Sequence, residues 1–98
     1  MANVTKNPYV IDTFSADVVV STGSILVSSI VFKSAAAGDL CVFIDSSNDI
    51  CFYISNNVNG GSVSWTPSKS FNFQNGLTLD VSACTGIGTG DHVLIFHE

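Results

Sequence analysis

A hydrophobic period of two runs through most of this chain and leaves little besides β-strands for it to form. Val63 and Trp65 alternate with Ser62, Ser64 and Thr66; Phe71 and Phe73 alternate with Asn72 and Gln74. Leu77, Leu79 and Val81 alternate with Thr78, Asp80 and Ser82. Successive side chains of a strand point to opposite faces, so each stretch offers one face to a core and the other to water. Turn-forming residues separate the stretches: Asn59-Gly60-Gly61, Pro67-Ser68, Asn75-Gly76 and the run TGIGTGD at 85–91. The predicted strands are 9–14, 16–21, 25–33, 39–45, 50–55, 62–66, 69–74 paired as a hairpin with 77–82 through Asn75-Gly76, and 91–97. The stretch KSAAAGD at 33–39 is too short for a stable helix. About eight short strands with closely spaced turns predict an all-β, two-sheet antiparallel sandwich, jelly-roll-like in topology.

Two segments depart from clean alternation. In 25–33, Ile25 and Val27 share one face whereas Ile30 and Phe32 share the other. A phase change within one strand predicts a β-bulge or a crossing between sheets. In DLCVFIDSSNDICFYIS, residues 39–55, both arms of a hairpin are apolar on both faces. An antiparallel strand with one wet face should alternate, so this hairpin is either covered by loops or meets another chain. Counting outward from the turn places Cys41, Phe43, Cys51 and Tyr53 on one face, which makes them the candidate subunit interface. Whether Cys41 and Cys51 come close enough to pair depends on register.

Asp45-x-Ser47-x-Asp49 superficially matches the start of a calcium loop, but Ile50 and Asn56 stand where an EF-hand needs glycine and glutamate. Asp, Ser and Asn also bond nearby backbone, and the segment is read as a turn. Gly86-Ile87-Gly88-Thr89-Gly90 lacks the lysine and following helix of a phosphate loop and is read as a flexible strand connection. His92 and His97 project to opposite faces of one strand and cannot share a metal. No Gly-x-Ser-x-Gly elbow occurs and no carboxylate pair is placed by the pattern. The chain is therefore read as a non-enzyme, with no catalytic residues, metal or cofactor. Trp65 alternates with Val63 as a core residue would; with Tyr53 it is also the candidate contact for a glycan, the rival reading.

Ninety-eight residues suffice for one domain, placed at 9–98 behind a short flexible arm at 1–8. With 46% apolar and only 11% charged residues, the chain carries more apolar surface than so small a domain hides internally. Self-association, or docking on a larger assembly, is the expected outlet. Three lysines, no arginine and a formal charge of −5 argue against nucleic acid. The start, MANVTKNPYV, has no run like a signal peptide, and Leu40–Ile44 and Val93–Phe96 are too short to span a bilayer. Synthesis in a cytoplasm is expected, with no membrane partner and with Cys41, Cys51 and Cys84 as free thiols. Termini and glycine-rich loops commonly order on a partner. Asn3, Lys6, Gly86, Gly88 and Gly90 are accordingly the candidate docking residues.

Taken together, YVIDTFSADVVV, VSSIVFKSAAAGDLCVFID and GGSVSWTPSKSFNFQNGLTLDVSACTGIGTGDHVLIF resemble the small β-sandwich virion proteins of tailed bacteriophages. The resemblance is one of layout and covers nearly the whole chain: an N-terminal strand, an AAAGD turn, an Asp-turn hairpin, a W-x-P step and a closing aliphatic strand. It implies a jelly-roll-like module, frequently trimeric, that binds the major capsid protein or another virion protein and decorates or stabilises the capsid. Fibre and knob parts share the layout, and there a glycan receptor would be the partner. The resemblance carries no catalytic residue to this chain.

Overall fold

The computed structural model describes residues 4–5, 7–88 and 90–98, with side chains from residue 7 onward. The described residues form ten strands: β1 (Val4–Thr5), β2 (Tyr9–Ile11), β3 (Val18–Ser21), β4 (Ile25–Lys33), β5 (Leu40–Ile44), β6 (Ile50–Ser55), β7 (Ser62–Trp65), β8 (Phe71–Phe73), β9 (Leu77–Leu79) and β10 (His92–His97). A single 3-10 turn, Val81–Ala83, follows β9. One antiparallel sheet has the order β1-β2-β10-β4-β7, with β8 also paired to β4. The other has the order β3-β9-β5-β6.

The chain changes sheets at every connection except β1–β2, β5–β6 and β7–β8. With β1 as an added edge strand and β7–β8 as one interrupted edge, β2-β10-β4-β7 facing β3-β9-β5-β6 is the jelly-roll arrangement. The expected all-β sandwich is what the chain forms. Its core contains Ile11, Val27, Ile30, Phe32, Phe43, Leu77, Leu79, Val93 and Ile95, all at 0% exposure. Both sheets contribute, as alternation in their strands requires.

The phase change in β4 is a bulge. Phe96 opposes Ser29 and His97 opposes Val27, so Ser28 is the extra residue. Its hydroxyl donates to the Phe96 carbonyl at 3.1 Å. The bulge brings Val27 onto the same buried side as Ile30 and Phe32. It also divides one edge of β4 between two partners, β7 on Ile30–Lys33 and β8 on Ile25–Val27.

The hairpin expected through Asn75-Gly76 does not form: β8 pairs with β4 in one sheet and β9 with β3 and β5 in the other. Phe73 and Leu77 reach the same core from opposite sheets, so the link between them is a corner. Gly76 sits there at φ +94°, and a Cβ on it would lie 2.6 Å from Ser46 Oγ and 2.8 Å from the Ser21 carbonyl. Ser46 N–H donates to the Asn75 carbonyl at 2.8 Å, tying the corner to the 45–49 turn.

Part of the expected arm at 1–8 also belongs to the sandwich. Val4 and Thr5 oppose Val10 and Tyr9, and the Asn7 side chain accepts from His97 N–H at 3.0 Å. The remaining buried polar groups hold backbone. Asn56, 1% exposed, donates to the Ser34, Val58 and Gly61 carbonyls and accepts from Val58 N–H.

Two substitutions check this arrangement by urea unfolding. Phe43→Ala is expected to lower stability by about 3–5 kcal/mol, because its ring is wholly enclosed. Tyr53→Ser, at 69% exposure, is expected to stay within about 0.5 kcal/mol. Equal effects would overturn the assignment of faces on the β5–β6 hairpin.

Candidate interaction surface

The surface is built from the hairpin outward. Asp45 organises its turn: Oδ1 accepts from Ser47 N–H at 2.9 Å and Asp49 N–H at 3.1 Å, and Asp45 N–H donates to the Asp49 carbonyl at 2.9 Å. Asn48 occupies the left-handed region at φ 64°, which asparagine tolerates better than most residues. The Asp49 N–H, then that of Ser47, hold the exposed Asp45 carboxyl below its ordinary value of 3.8. The acidic and hydroxyl side chains of this segment thus act as turn ligands. Among the described residues no group of three His, Cys, Asp or Glu side chains is placed to hold a metal ion.

Beyond the turn the register is irregular. Ile44 opposes Ile50 and Phe43 opposes Phe52, which leaves Cys51 as the bulged residue; Val42 then opposes Tyr53 and Cys41 opposes Ile54. Directly opposed residues share a face. The candidate interface of Cys41, Phe43, Cys51 and Tyr53 is therefore corrected: these four do not share a face. Cys41 and Phe43 are enclosed in the core, Cys51 is half-buried at the bulge, and only Tyr53 stands outside. Cys41 and Cys51 are not opposed, and all three cysteines are free thiols.

The opposite side of the same sheet carries the unexplained apolar surface. Val19 opposes Thr78, Thr78 opposes Ile44, and Ile44 opposes Ile50, a row across all four strands. Val19 is 52% exposed and Ile50 65%, and Ile44 lies between them. The Val42–Tyr53 pair forms the next row on that side. Ile44 and Val42 are buried yet lie outside the core cluster, as outward-facing residues must. A wet antiparallel face normally presents polar side chains here. Alternation could have identified this row had the register of β6 been legible.

Trp65 and Tyr53 are not brought together. Trp65 lies tilted against Phe52 at 4.7 Å between ring centres and edge-on to Phe71 at 5.9 Å and Phe73 at 6.1 Å. Phe52 points inward from β6 and Tyr53 outward, so the proposed glycan pair lies on two sides of the strand. The aromatic cluster has one open member, Phe71, at 50% exposure. Phe71 lines an open depression of about 320 Å³ with Asp45, Cys51, Asn72, Phe73, Gln74, Asn75 and Gly76.

Of the candidate docking residues, Asn3 and Lys6 lie outside the described residues. Gly86, Gly88 and Gly90 belong to a connection whose described residues meet the rest of the fold at several points. Asp91, 4% exposed, accepts from Gly88 N–H at 2.9 Å and Ala35 N–H at 3.2 Å. Gly86, at φ +73°, lies against the Asp39 carboxylate, and a Cβ there would collide with it. Ile87 packs on the core. At Gly86, glycine answers to backbone conformation and close approach.

Comparison with protein-family models, curated proteins and solved structures found no match. The architecture and the surface therefore rest on the strand order and register described above.

The Asp45 carboxyl gives a pH test. Its folded pKa is depressed, so its contribution is present above the ordinary aspartate value and is lost as pH falls through the folded value. Asp45→Asn is expected to be slightly less stable than wild type near about pH 6, with the gap closing toward about pH 2 as the wild-type carboxyl protonates. A gap that widens on acidification would overturn the assigned role.

Proposed function

We propose that this jelly roll is a structural virion component of a tailed bacteriophage, one that binds the capsid and decorates or stabilises it without catalysing a reaction. The observation that carries the reading is the exposure of Val19 and Ile50 at the two ends of the row Val19–Thr78–Ile44–Ile50, with Tyr53 beside it: large apolar side chains on a sheet face that water alone would not select. The low charge and the layout of the sequence support it. Copies of the chain associate through this face, as a trimer, and present their remaining surface to the major capsid protein or another shell protein. Synthesis in the host cytoplasm, followed by assembly into the particle, accords with the free thiols.

The experiment is light scattering on a sizing column with reductant present. Wild type is expected at three times the chain mass of 10.3 kDa, and Ile50→Ser at the chain mass with an unchanged circular dichroism spectrum. Sedimentation with isolated tailed-phage heads should persist at about 1 M NaCl, where exposed charge contacts are screened beyond about 3 Å. A monomeric wild type that also fails to sediment with heads would overturn the reading.

One observation favours a second reading, glycan binding at a fibre or knob. The depression beside Phe71 combines an aromatic ring with the exposed amides of Asn72, Gln74 and Asn75, the chemistry that stacks on and hydrogen-bonds a sugar. A glycan-array signal lost in Phe71→Ala would support it; a silent array with folded protein would dismiss it.

A further inference from the structure

Cys84 has a partner that sequence spacing does not suggest. Beyond the 3-10 turn the chain returns to the edge of β5, where Leu40 and Thr85 form an isolated antiparallel bridge. Leu40 N–H donates to the Thr85 carbonyl at 3.0 Å, and Thr85 N–H to the Leu40 carbonyl at 2.9 Å. In an antiparallel ladder the position next to such a doubly bonded pair is a non-hydrogen-bonded one, where opposed Cα atoms approach to about 4.5 Å. Cys41 and Cys84 are the residues next to that bridge on the same side of it, where a continued ladder would bring their Cα atoms into the span of about 4.4–6.8 Å that a disulfide bridges.

The side chains agree with the backbone. Cys41 lies in the core at 0% exposure, and Cys84, half-buried, packs against the same cluster. Cys84 Sγ accepts from Val42 N–H at 3.3 Å and donates to the Asp80 carbonyl at 3.2 Å. The third thiol, Cys51, stands apart in the β6 bulge, opposite neither of them.

We propose that Cys84 and Cys41 form an oxidisable pair, closed to an intramolecular disulfide by a hydroperoxide, with Cys84 as the attacking thiol and Cys41 as the resolving one. The Cys84 thiolate attacks the peroxide, forming an S–O bond as the O–O bond breaks and the alkoxide, or hydroxide from hydrogen peroxide, leaves. The Cys41 thiol then attacks the resulting sulfenic acid; the S–S bond forms, the S–O bond breaks, and the hydroxyl leaves with the Cys41 proton as water. Two thiols lose two electrons and the peroxide gains them. The division of roles follows the surroundings. Cys84 is the more open of the two and accepts from Val42 N–H; the neighbouring Cys41 thiol, then that N–H, lower its pKa against burial and the charges of Asp80 and Asp17. The neighbouring Cys84 thiol, then burial, raise that of the enclosed Cys41. Burial, then the Asp45 charge, raises that of Cys51.

The test treats the folded chain with hydrogen peroxide, removes excess oxidant, and alkylates under denaturing conditions. Two of the three thiols are expected to become unreactive, the intact mass to fall by two hydrogens, and a peptide map to link Cys41 to Cys84. In Cys41→Ala, whose fold is checked by circular dichroism, a sulfenic acid at Cys84 should be trapped by dimedone. In Cys84→Ser no internal disulfide should form. A Cys41–Cys51 link, oxidation of Cys51 ahead of Cys84, or three alkylatable thiols after treatment of wild type would each overturn the proposal.

Discussion

The opposition of Phe43 to Phe52 is the contact on which the two faces of this molecule depend. It places one odd-numbered residue of β5 against one even-numbered residue of β6. Every side chain of the hairpin is then assigned inward or outward, because side chains alternate and a one-residue slip would exchange the faces. The 45–49 turn and the Cys51 bulge set that parity, and the turn is held by one carboxylate bonded to two backbone N–H groups. Phe43 and Phe52 rings lie 6.0 Å apart, and Phe52 continues through Trp65 to the opposite sheet. The aromatic chain thus closes one open side of the sandwich and fixes the inward face of β6. What remains outward is Ile50 and Tyr53.

A second constraint works in the opposite sheet. The Ser28 bulge lets one nine-residue strand keep Val27, Ile30 and Phe32 all buried while serving β10 on one side and both β7 and β8 on the other. Without the extra residue, either Val27 or the pair Ile30 and Phe32 would face water. The polar end of the sandwich is fixed by a different device. Asn56 bonds the 34 and 56–61 segments, while Asp91 bonds the 35 and 88 segments, so connections rich in glycine and alanine gain partners for their backbone groups.

Strand content, the β4 bulge and the sandwich were legible because each follows from local alternation. The errors arose where the answer depends on contacts distant in sequence. Asn75-Gly76 has the composition of a hairpin turn, yet the strands on either side pair elsewhere, and a dipeptide carries no information about that. The face of Phe43 was ambiguous because both faces of β5 are apolar, so the decision passed to a bulge that composition does not mark. The glycines of 85–91 do not announce what they meet: Asp39, against Gly86, lies far upstream in the sequence, and Asp91, which accepts from Gly88 N–H, ends the run itself. The return of Cys84 to the edge of β5 was hidden for the same reason: it comes only after the 3-10 turn has displaced the chain from β9.

β5 is where these threads meet. Its inward face holds Phe43 and Cys41 in the core, beside the Leu40–Thr85 bridge that brings Cys84 back; its outward face holds the buried Ile44 between the exposed Val19 and Ile50. Val42 and Ile44 are already covered within the chain, and the open apolar side chains of the row are its ends, Val19 and Ile50. The two chemistries are also separable, since alternation keeps the sulfur pair and the outward row on opposite sides of the sheet. Oxidation of the thiols would tie the 80–85 segment to β5 without adding a group to the outward face.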